Sequence, residues 1–173
     1  MPKDFLGKRQ VRWIGAAALF VLTCSGSVYA ADCVAPRDRD SQIVRALQSR
    51  LMIAAFSCNA RNDYNQFVNH YQPQLAYHGT GLRKYFRKKH GRSHKRALNK
   101  FVTGLANGAS QASIKDRRRF CTESRAIFAA LRSASSRQAP LTLQAVALDT
   151  DWRHKPAKVC EAYARRATKK RRR

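Results

Sequence analysis

The amino-acid sequence predicts an all-α fold: an up-and-down bundle of five to seven helices with two disulfides, after a cleaved signal peptide. Apolar residues recur every three or four positions along most of the chain beyond residue 41, which is helical spacing. No stretch shows the alternation of apolar and polar residues, bounded by turns, that is typical of strands. Beyond residue 30 the chain has four cysteines, an even number that suits disulfides in an oxidising compartment.

Length and charge limit the classes of protein that the chain can belong to. Its 173 residues fit one domain plus a processing segment and are too few for a barrel enzyme of usual size. Hydrophobic residues make up 44%, which argues against wholesale disorder. The formal net charge is +25, and residues 31–173 keep +22 because they hold 31 of the 35 cations and nine of the ten acids.

The first thirty residues have the order of a secretory signal. Met1–Arg12 carries four cations, and an uncharged, largely apolar stretch follows at 13–31. The small residues Val28 and Ala30 suit the pockets of a signal peptidase. We therefore expect cleavage after Ala30 and a periplasmic or secreted product.

Two alternatives to a cleaved signal stay open, and both also place the rest of the chain outside the cytoplasm. One is an uncleaved anchor helix. The other is a lipoprotein modified at Cys24, although Thr23 is a poor fit in front of it. The predicted division is a signal peptide at 1–30, a single helical domain at 31–164 and a disordered polybasic tail at 165–173.

The first predicted helix begins at Ser41, which can cap it, and runs to about Asn59. Its apolar stripe predicts one buried face. The stripe consists of Ile43, Leu47, Leu51, Ala54 and Cys58.

The region from 62 to 91 is predicted as helix on either side of a proline. Asn62 or Asp63 caps it, Pro73 marks a restart or a kink, and Gly91 is a plausible C-terminal stop. The inward residues predicted for this region are Tyr64, Phe67, Val68, Tyr71, Leu75, His78, Leu82, Tyr85 and Phe86.

The remaining predicted helices begin at Ser93, at the capping residue Asp116, and at Pro140 and Pro156, where proline suits a first helical turn. The helix at Pro140 extends to about residue 148. The apolar face of the helix after Ser93 comprises Leu98, Phe101, Val102, Leu105, Ala109 and Ala112. The face after Asp116 comprises Phe120, Cys121, Ile127, Phe128 and Leu131.

Alternating helix directions favour one of the three possible cysteine pairings. Counting 62–90 as one leg, Cys58 and Cys121 share one end of the bundle, and Cys33 lies at the other end with Cys160 as its partner. The cysteines form no CxxC pair and have no histidine at zinc-ligand spacing. We therefore predict two structural disulfides and no metal site.

Two segments carry a resemblance to a family. Leu47–Val68, which reads LQSRLMIAAFSCNARNDYNQFV, and Leu98–Ser110, which reads LNKFVTGLANGAS, with the following Phe120-Cys121, resemble small uncharacterised secreted proteins of proteobacteria. The similarity covers about residues 43–131. It implies a periplasmic, helical, disulfide-bonded product and brings no activity with it.

The positive charge is the one candidate for function. No acid occurs in the fifty-two residues between Asp63 and Asp116, where ten cations lie. The candidate anion-binding residues fall into three blocks. They are Arg83, Lys84, Arg87, Lys88, Lys89, Arg92, Lys95 and Arg96; then Arg117, Arg118 and Arg119; and, in the tail, Lys169, Lys170, Arg171, Arg172 and Arg173.

Such an excess predicts contact with phosphate, sulfate or uronate groups on envelope polymers or lipid headgroups. The alternative is a solvated face that serves solubility only, although the self-repulsion of so many cations destabilises a compact chain. Tyr85 and Phe86 could stack on bases, but their place on the apolar stripe favours core packing. No pattern of a nucleic-acid-binding module is present.

The sequence contains no clear pattern of catalytic residues, and we predict no catalytic residue and no cofactor. No two acids share a helical face as a general acid–base pair would. Only His78 falls on an apolar stripe, where a core histidine is the simpler interpretation. The leading hypothesis is a non-enzymatic basic envelope protein. A protein-partner module in envelope assembly or folding assistance and an enzyme with an unrecognised site are the alternatives.

Overall fold

A computed structural model describes residues 33–133, 140–141 and 157–161. This part of the chain is mostly helical, with four α-helices: α1 at Pro36–Ser57, α2 at Arg61–His90, α3 at His94–Lys115 and α4 at Arg117–Arg132. A single 3-10 turn, Gly91–Ser93, joins α2 to α3. The all-α class is thus confirmed. The helix predicted after Pro156 to hold Val159, Cys160 and Tyr163 is wrong at its start, because Lys158–Val159 form a short strand and Cys160 is not helical. Its remainder lies outside the described residues, as do most of the helix predicted at about 140–148, the signal peptide and the tail.

The helix α1 lies at the centre of the bundle and packs against α2, α3 and α4. All five residues of its predicted stripe are buried, as expected. Its predicted start at Ser41 is wrong, because α1 begins at Pro36, whose missing N–H is no loss in a first helical turn. The Ser41 hydroxyl instead donates to the Arg37 carbonyl, one turn earlier within the helix.

The helix α2 runs unbroken through Pro73, which lies on its exposed side. The predicted caps Asn62 and Asp63 are wrong, since the helix begins at Arg61 with no side-chain cap. Asp63 instead forms an ion pair with Arg132 of α4. Gly91 ends the helix at a φ of 50°, a conformation that favours glycine, as predicted.

The start of α3 and the start of α4 differ in how they are capped. Ser93 precedes α3, but its hydroxyl donates backwards to the His90 carbonyl and caps no N–H of the helix. Asp116 caps α4 as predicted, because its carboxylate accepts the N–H of Arg119 at 2.9 Å.

Both disulfides join the predicted partners. Cys58 and Cys121 have Cα atoms 5.4 Å apart, and Cys33 and Cys160 have theirs 4.9 Å apart. The prediction that the chain has no strand is wrong in one place: β1, Cys33–Val34, pairs in parallel with β2, Lys158–Val159. This short pairing lies beside the Cys33–Cys160 bond. Its two strands are far apart in the sequence, so local sequence patterns do not predict it.

Within the described residues, no helix combines the length and hydropathy that crossing a membrane would require.

Candidate functional site

The end of α2, the turn after it and the start of α3 carry the first block of predicted anion-binding residues. We call residues 83–96 the basic tip. Its eight cations are all exposed, and no acid lies within it. The members of the basic tip are Arg83, Lys84, Arg87, Lys88, Lys89, Arg92, Lys95 and Arg96.

Three ion pairs among the described residues lie away from the basic tip. They join Arg50 and Arg119 to Glu123, and Arg132 to Asp63. Two tip cations have other contacts, since Arg83 donates to the Thr80 hydroxyl at 2.9 Å and the Lys89 ammonium lies 5.8 Å from the centre of the Tyr85 ring. With eight exposed cations and no acid of its own, the basic tip carries a strong local excess of positive charge.

The second block, Arg117–Arg119, lies at the opposite end of α3, a helix of 22 residues and so about 33 Å long. The structure does not bring it together with the basic tip. Arg117 donates to the Ser57 carbonyl at 2.9 Å, and Arg119 pairs with Glu123, so two of the three arginines serve intramolecular contacts. The third block, at 169–173, lies outside the described residues.

Of the two aromatic residues in the tip, Phe86 packs in the interior as predicted. It is 6% exposed, and its ring lies 5.4 Å from that of Phe101 on α3. Tyr85 is only half-buried and borders a cleft that the sequence analysis missed.

This open cleft, of about 920 Å³, runs between α3 and the helices α1, α2 and α4. One face of α3 forms its long wall. The α3 residues of that wall are Ala97, Phe101, Gly104, Leu105, Gly108 and Ala112. The one sequence signal for it is the spacing of the small residues Gly104, Gly108 and Ala112, which are four positions apart; only Ala112 belongs to the predicted apolar face.

Charged side chains border both ends of the cleft. Lys89 and Lys100 lie at the end near the basic tip, whereas Lys115, Asp116 and Arg119 lie at the other. The cations of the cleft therefore outnumber its acids, and the middle of the wall is apolar.

The cleft wall includes an arginine that is almost wholly inside the protein. Arg50 of α1 is 6% exposed, and its Nη2 donates to Oε2 of Glu123 at 2.8 Å while its guanidinium lies 4.9 Å from the centre of the Phe120 ring. Arg119 donates to the other carboxylate oxygen at 2.7 Å. The bond from Arg119, together with that from Arg50, holds the pKa of Glu123 below its ordinary value, against the opposing effect of burial.

Two buried donors at the cleft lack an acceptor. Nε of Arg50 and Nε2 of Gln42, a residue 5% exposed, make no hydrogen bond in the structure. Leaving a buried donor unpaired costs about 1–3 kcal/mol. The nearby carboxylate is already held by two arginines, so it is not free to accept from either donor.

Of the histidines in the described residues, His78 is the one that is buried. His78 is a core residue as predicted, 9% exposed, with Nδ1 at 3.4 Å from the Ser41 hydroxyl. Burial lowers the pKa of His78, with Arg37 acting in the same direction and Asp40 opposing it. Within the described residues, no three His, Cys, Asp or Glu side chains are grouped to hold a metal ion.

The geometry defines a helical, disulfide-bonded and strongly basic protein with an open cleft along one helix. No model of a known protein family matches the chain, and no curated protein or solved structure matches it either. The resemblance to small secreted proteins of proteobacteria therefore stays a prediction, and function must be argued from the residues.

Proposed function

We propose that this is a non-enzymatic, exported protein whose basic tip binds anionic polymers or lipid headgroups of the cell envelope. The observation that supports this function is the basic tip itself, with eight exposed cations and no acid within fourteen residues. Such a surface attracts anionic polymers, and binding is favoured because it releases the counterions condensed on them. Each cation near an anionic leaflet adds about 1 kcal/mol to the binding free energy.

The position of some tip cations argues against a role in folding alone. Arg87, Lys88 and Lys89 lie in the last turn of α2, where cations favour the helix dipole. Lys95 and Arg96 lie in the first turn of α3, where cations oppose it. A function that uses the charge accounts for residues whose placement costs stability.

Export is the second part of the proposal. The predicted signal at 1–30 supports it, and the two disulfides are compatible with an oxidising compartment. We expect to detect the chain in a periplasmic fraction, with the mass of a chain that begins at Ala31. A cytoplasmic chain with an intact N-terminus would overturn this part.

The binding test compares two pairs of substitutions that change the net charge equally. Arg87→Gln with Arg92→Gln removes two tip cations, whereas Arg61→Gln with Lys115→Gln removes two exposed cations that belong to none of the three blocks. Binding to vesicles of phosphatidylglycerol and phosphatidylcholine is titrated between about 50 and 200 mM salt. We expect the tip pair to lower both the affinity and the slope of log affinity against log salt, and the control pair to change them less.

Equal losses for the two pairs would show that net charge, and no particular surface, attracts the protein. Binding that does not depend on salt would refute the electrostatic proposal and favour the alternative of a protein-partner module. The same titration with heparin separates a preference for polymers from one for headgroups.

A further inference from the structure

A strand pairing and a disulfide fix the segment 157–161 to the start of α1. Lys158–Val159 pair with Cys33–Val34, immediately before α1, and the N–H of Cys160 donates to the Val34 carbonyl at 3.1 Å. The bond from Cys33 to Cys160 makes this junction covalent. The residues that follow Cys160 therefore begin at a fixed point beside the first turn of α1.

That fixed point lies at the end of the bundle that carries the basic tip. Only three residues, 58–60, join α1 to α2, and the Ser41 hydroxyl near the start of α1 lies 3.4 Å from Nδ1 of His78 in the second half of α2. The two helices are therefore antiparallel, and α1 begins at the end of the bundle where α2 ends.

The residues that border two cavities support the same placement. Arg37, in the first turn of α1, borders a small cavity together with Lys84 of the basic tip. Ala157, one residue before β2, borders the cleft along α3 together with Lys89 of the tip. The base of the C-terminal segment and the tip therefore lie together, whereas Arg117–Arg119 lie at the other end of α3.

The tail, residues 165–173, is as basic as the tip. It holds seven cations and no acid. The five residues from Cys160 to Arg165 span at most about 18 Å, and the nine to Lys169 at most about 32 Å. Because α3 is about 33 Å long, the first arginines of the tail are held closer to the basic tip than to Arg117–Arg119.

The side chains of the basic tip favour a polymer over a bilayer as its ligand. The three large hydrophobic side chains that are exposed among the described residues, Phe56, Tyr77 and Ile114, all lie outside the tip. The tip therefore has charge but no exposed apolar group that would insert between lipids. An extended polyanion repeats its anionic groups along its length and can contact cations of the tip and of the tail at once.

We propose that the basic tip and the tail act as one surface that binds a single extended polyanion, such as a sulfated or phosphorylated polysaccharide chain. The junction at Cys33 and Cys160 holds the tail at the distance that joint binding requires. Two linked sites gain affinity because binding at one raises the effective concentration of the ligand at the other. This joint surface rests on the polyanion binding proposed above and adds that ligand length and the position of the tail determine the affinity.

Moving the tail without changing its charge tests the role of its position. A Gly/Ser segment of about twenty residues is inserted between Glu161 and Ala162, and the matched control carries the same segment after Arg173. The longer tether lowers the effective concentration of the tail at the tip, so the inserted variant should lose about fivefold in affinity for a long heparin fragment. The control should bind as the wild type does. Equal affinities of the two variants would overturn the proposal.

The length of the ligand provides a second test. Calorimetric titration compares a heparin tetrasaccharide with a fragment of about twelve sugar units, for the wild type and for a chain that ends at Ala164. The long fragment should lose about tenfold or more in affinity when the tail is absent, because it can no longer contact both segments. The tetrasaccharide is too short to contact both and should lose much less. An equal loss for the two fragments would show that the tail acts through net charge alone, which would refute the joint surface.

The same measurements separate failure of the joint surface from failure of the proposed function. If Arg87→Gln with Arg92→Gln weakens binding to heparin but the insertion after Glu161 does not, the tip binds polyanions alone and only the joint surface is refuted. If the wild type binds neither heparin fragments nor anionic vesicles, the proposed function fails as well. If the insertion weakens binding to vesicles and leaves binding to heparin unchanged, the tail serves a membrane surface, and the assignment to an extended polymer is overturned.

Discussion

Gly81 of α2 lies directly against Ser41 of α1. A β-carbon at position 81 would be 2.8 Å from the Ser41 hydroxyl oxygen, closer than real β-carbons approach other atoms. Ser41 is itself 1% exposed, and its hydroxyl donates to the Arg37 carbonyl, so it has little room to move. The close approach of α1 and α2 at this crossing therefore depends on the absence of a side chain at position 81.

Gly81→Ala should lower the free energy of unfolding by about 1–3 kcal/mol, because the added methyl group overpacks this crossing. Urea unfolding followed by circular dichroism measures the change. Gly79→Ala is the matched control, since its β-carbon would meet its nearest atom, Nη1 of Arg83, at an ordinary 3.8 Å. The control should be neutral or more stable by up to about 1 kcal/mol, the gain in helix propensity.

A double variant checks the cause. Ser41→Ala removes the hydroxyl and leaves only the Ser41 β-carbon near position 81, at 3.8 Å. Gly81→Ala should therefore cost less in this background than in the wild type. Strictly additive effects would show that the hydroxyl is not the obstacle.

Glu123→Gln should lower the free energy of unfolding by about 2–3 kcal/mol, because it leaves the buried guanidinium of Arg50 without a negative partner. Asp63→Asn, which breaks the more exposed pair with Arg132, should cost no more than about 1 kcal/mol. Urea titrations of the two variants at neutral pH provide the comparison. A cost that is equal in the two variants would contradict the role assigned to the burial of Arg50.

His78 should make the folded state less stable as the solution becomes acidic. The pKa of His78 is lowered in the folded protein, chiefly by burial, whereas the unfolded chain has the ordinary value of about 6.5. Below that pH the unfolded state binds a proton that the folded state resists, so stability falls as pH decreases and levels off below the folded pKa.

His78→Asn removes the titration and keeps a polar group near Ser41. Its unfolding free energy should vary less than that of the wild type between neutral pH and about pH 5. His70→Asn, at an exposed position, should retain the wild-type pH dependence. A wild-type slope that persists without His78 would assign the effect to other groups.

Replacing Cys58 and Cys121 together by alanine should cost about 4 kcal/mol, since the bond closes a loop of about 63 residues in the unfolded chain. Replacing Cys33 and Cys160 opens a loop of 127 residues and should cost about 5 kcal/mol, because loop entropy grows only with the logarithm of length. Denaturant unfolding of the two double variants tests this order. Variants as stable as the wild type would contradict the assigned contribution of the bonds.

The features that the sequence predicted correctly are those with a local or a simple topological cause. The stripe from Ile43 to Cys58 is buried because a helix repeats its face every three to four residues. Gly91 and Asp116 act as helix terminators because their effect is confined to one turn. The cysteine pairing followed from the alternation of helix directions.

The predictions that failed concern residues whose role is set by a distant part of the chain. Ser41 and Asp63 have the composition of caps, yet Ser41 lies within α1 opposite Gly81, and Asp63 pairs with an arginine 69 positions later. Pro73 was expected to mark a restart or a kink; the helix does not restart there, because α2 is continuous through Pro73, which lies on its exposed side.

The sequence by itself thus determined the helical class, the buried stripes, two helix ends, the disulfide partners and the excess of positive charge, because each depends on spacing or composition. The tertiary structure alone decided that Arg50 and Gln42 border the same cleft as the glycines of α3, and that the tip cations and Arg117–Arg119 lie at opposite ends of that helix. The physical reason is that a cleft and a charge cluster are set by which helices pack together, and residues far apart in the chain bring no local signal of their approach.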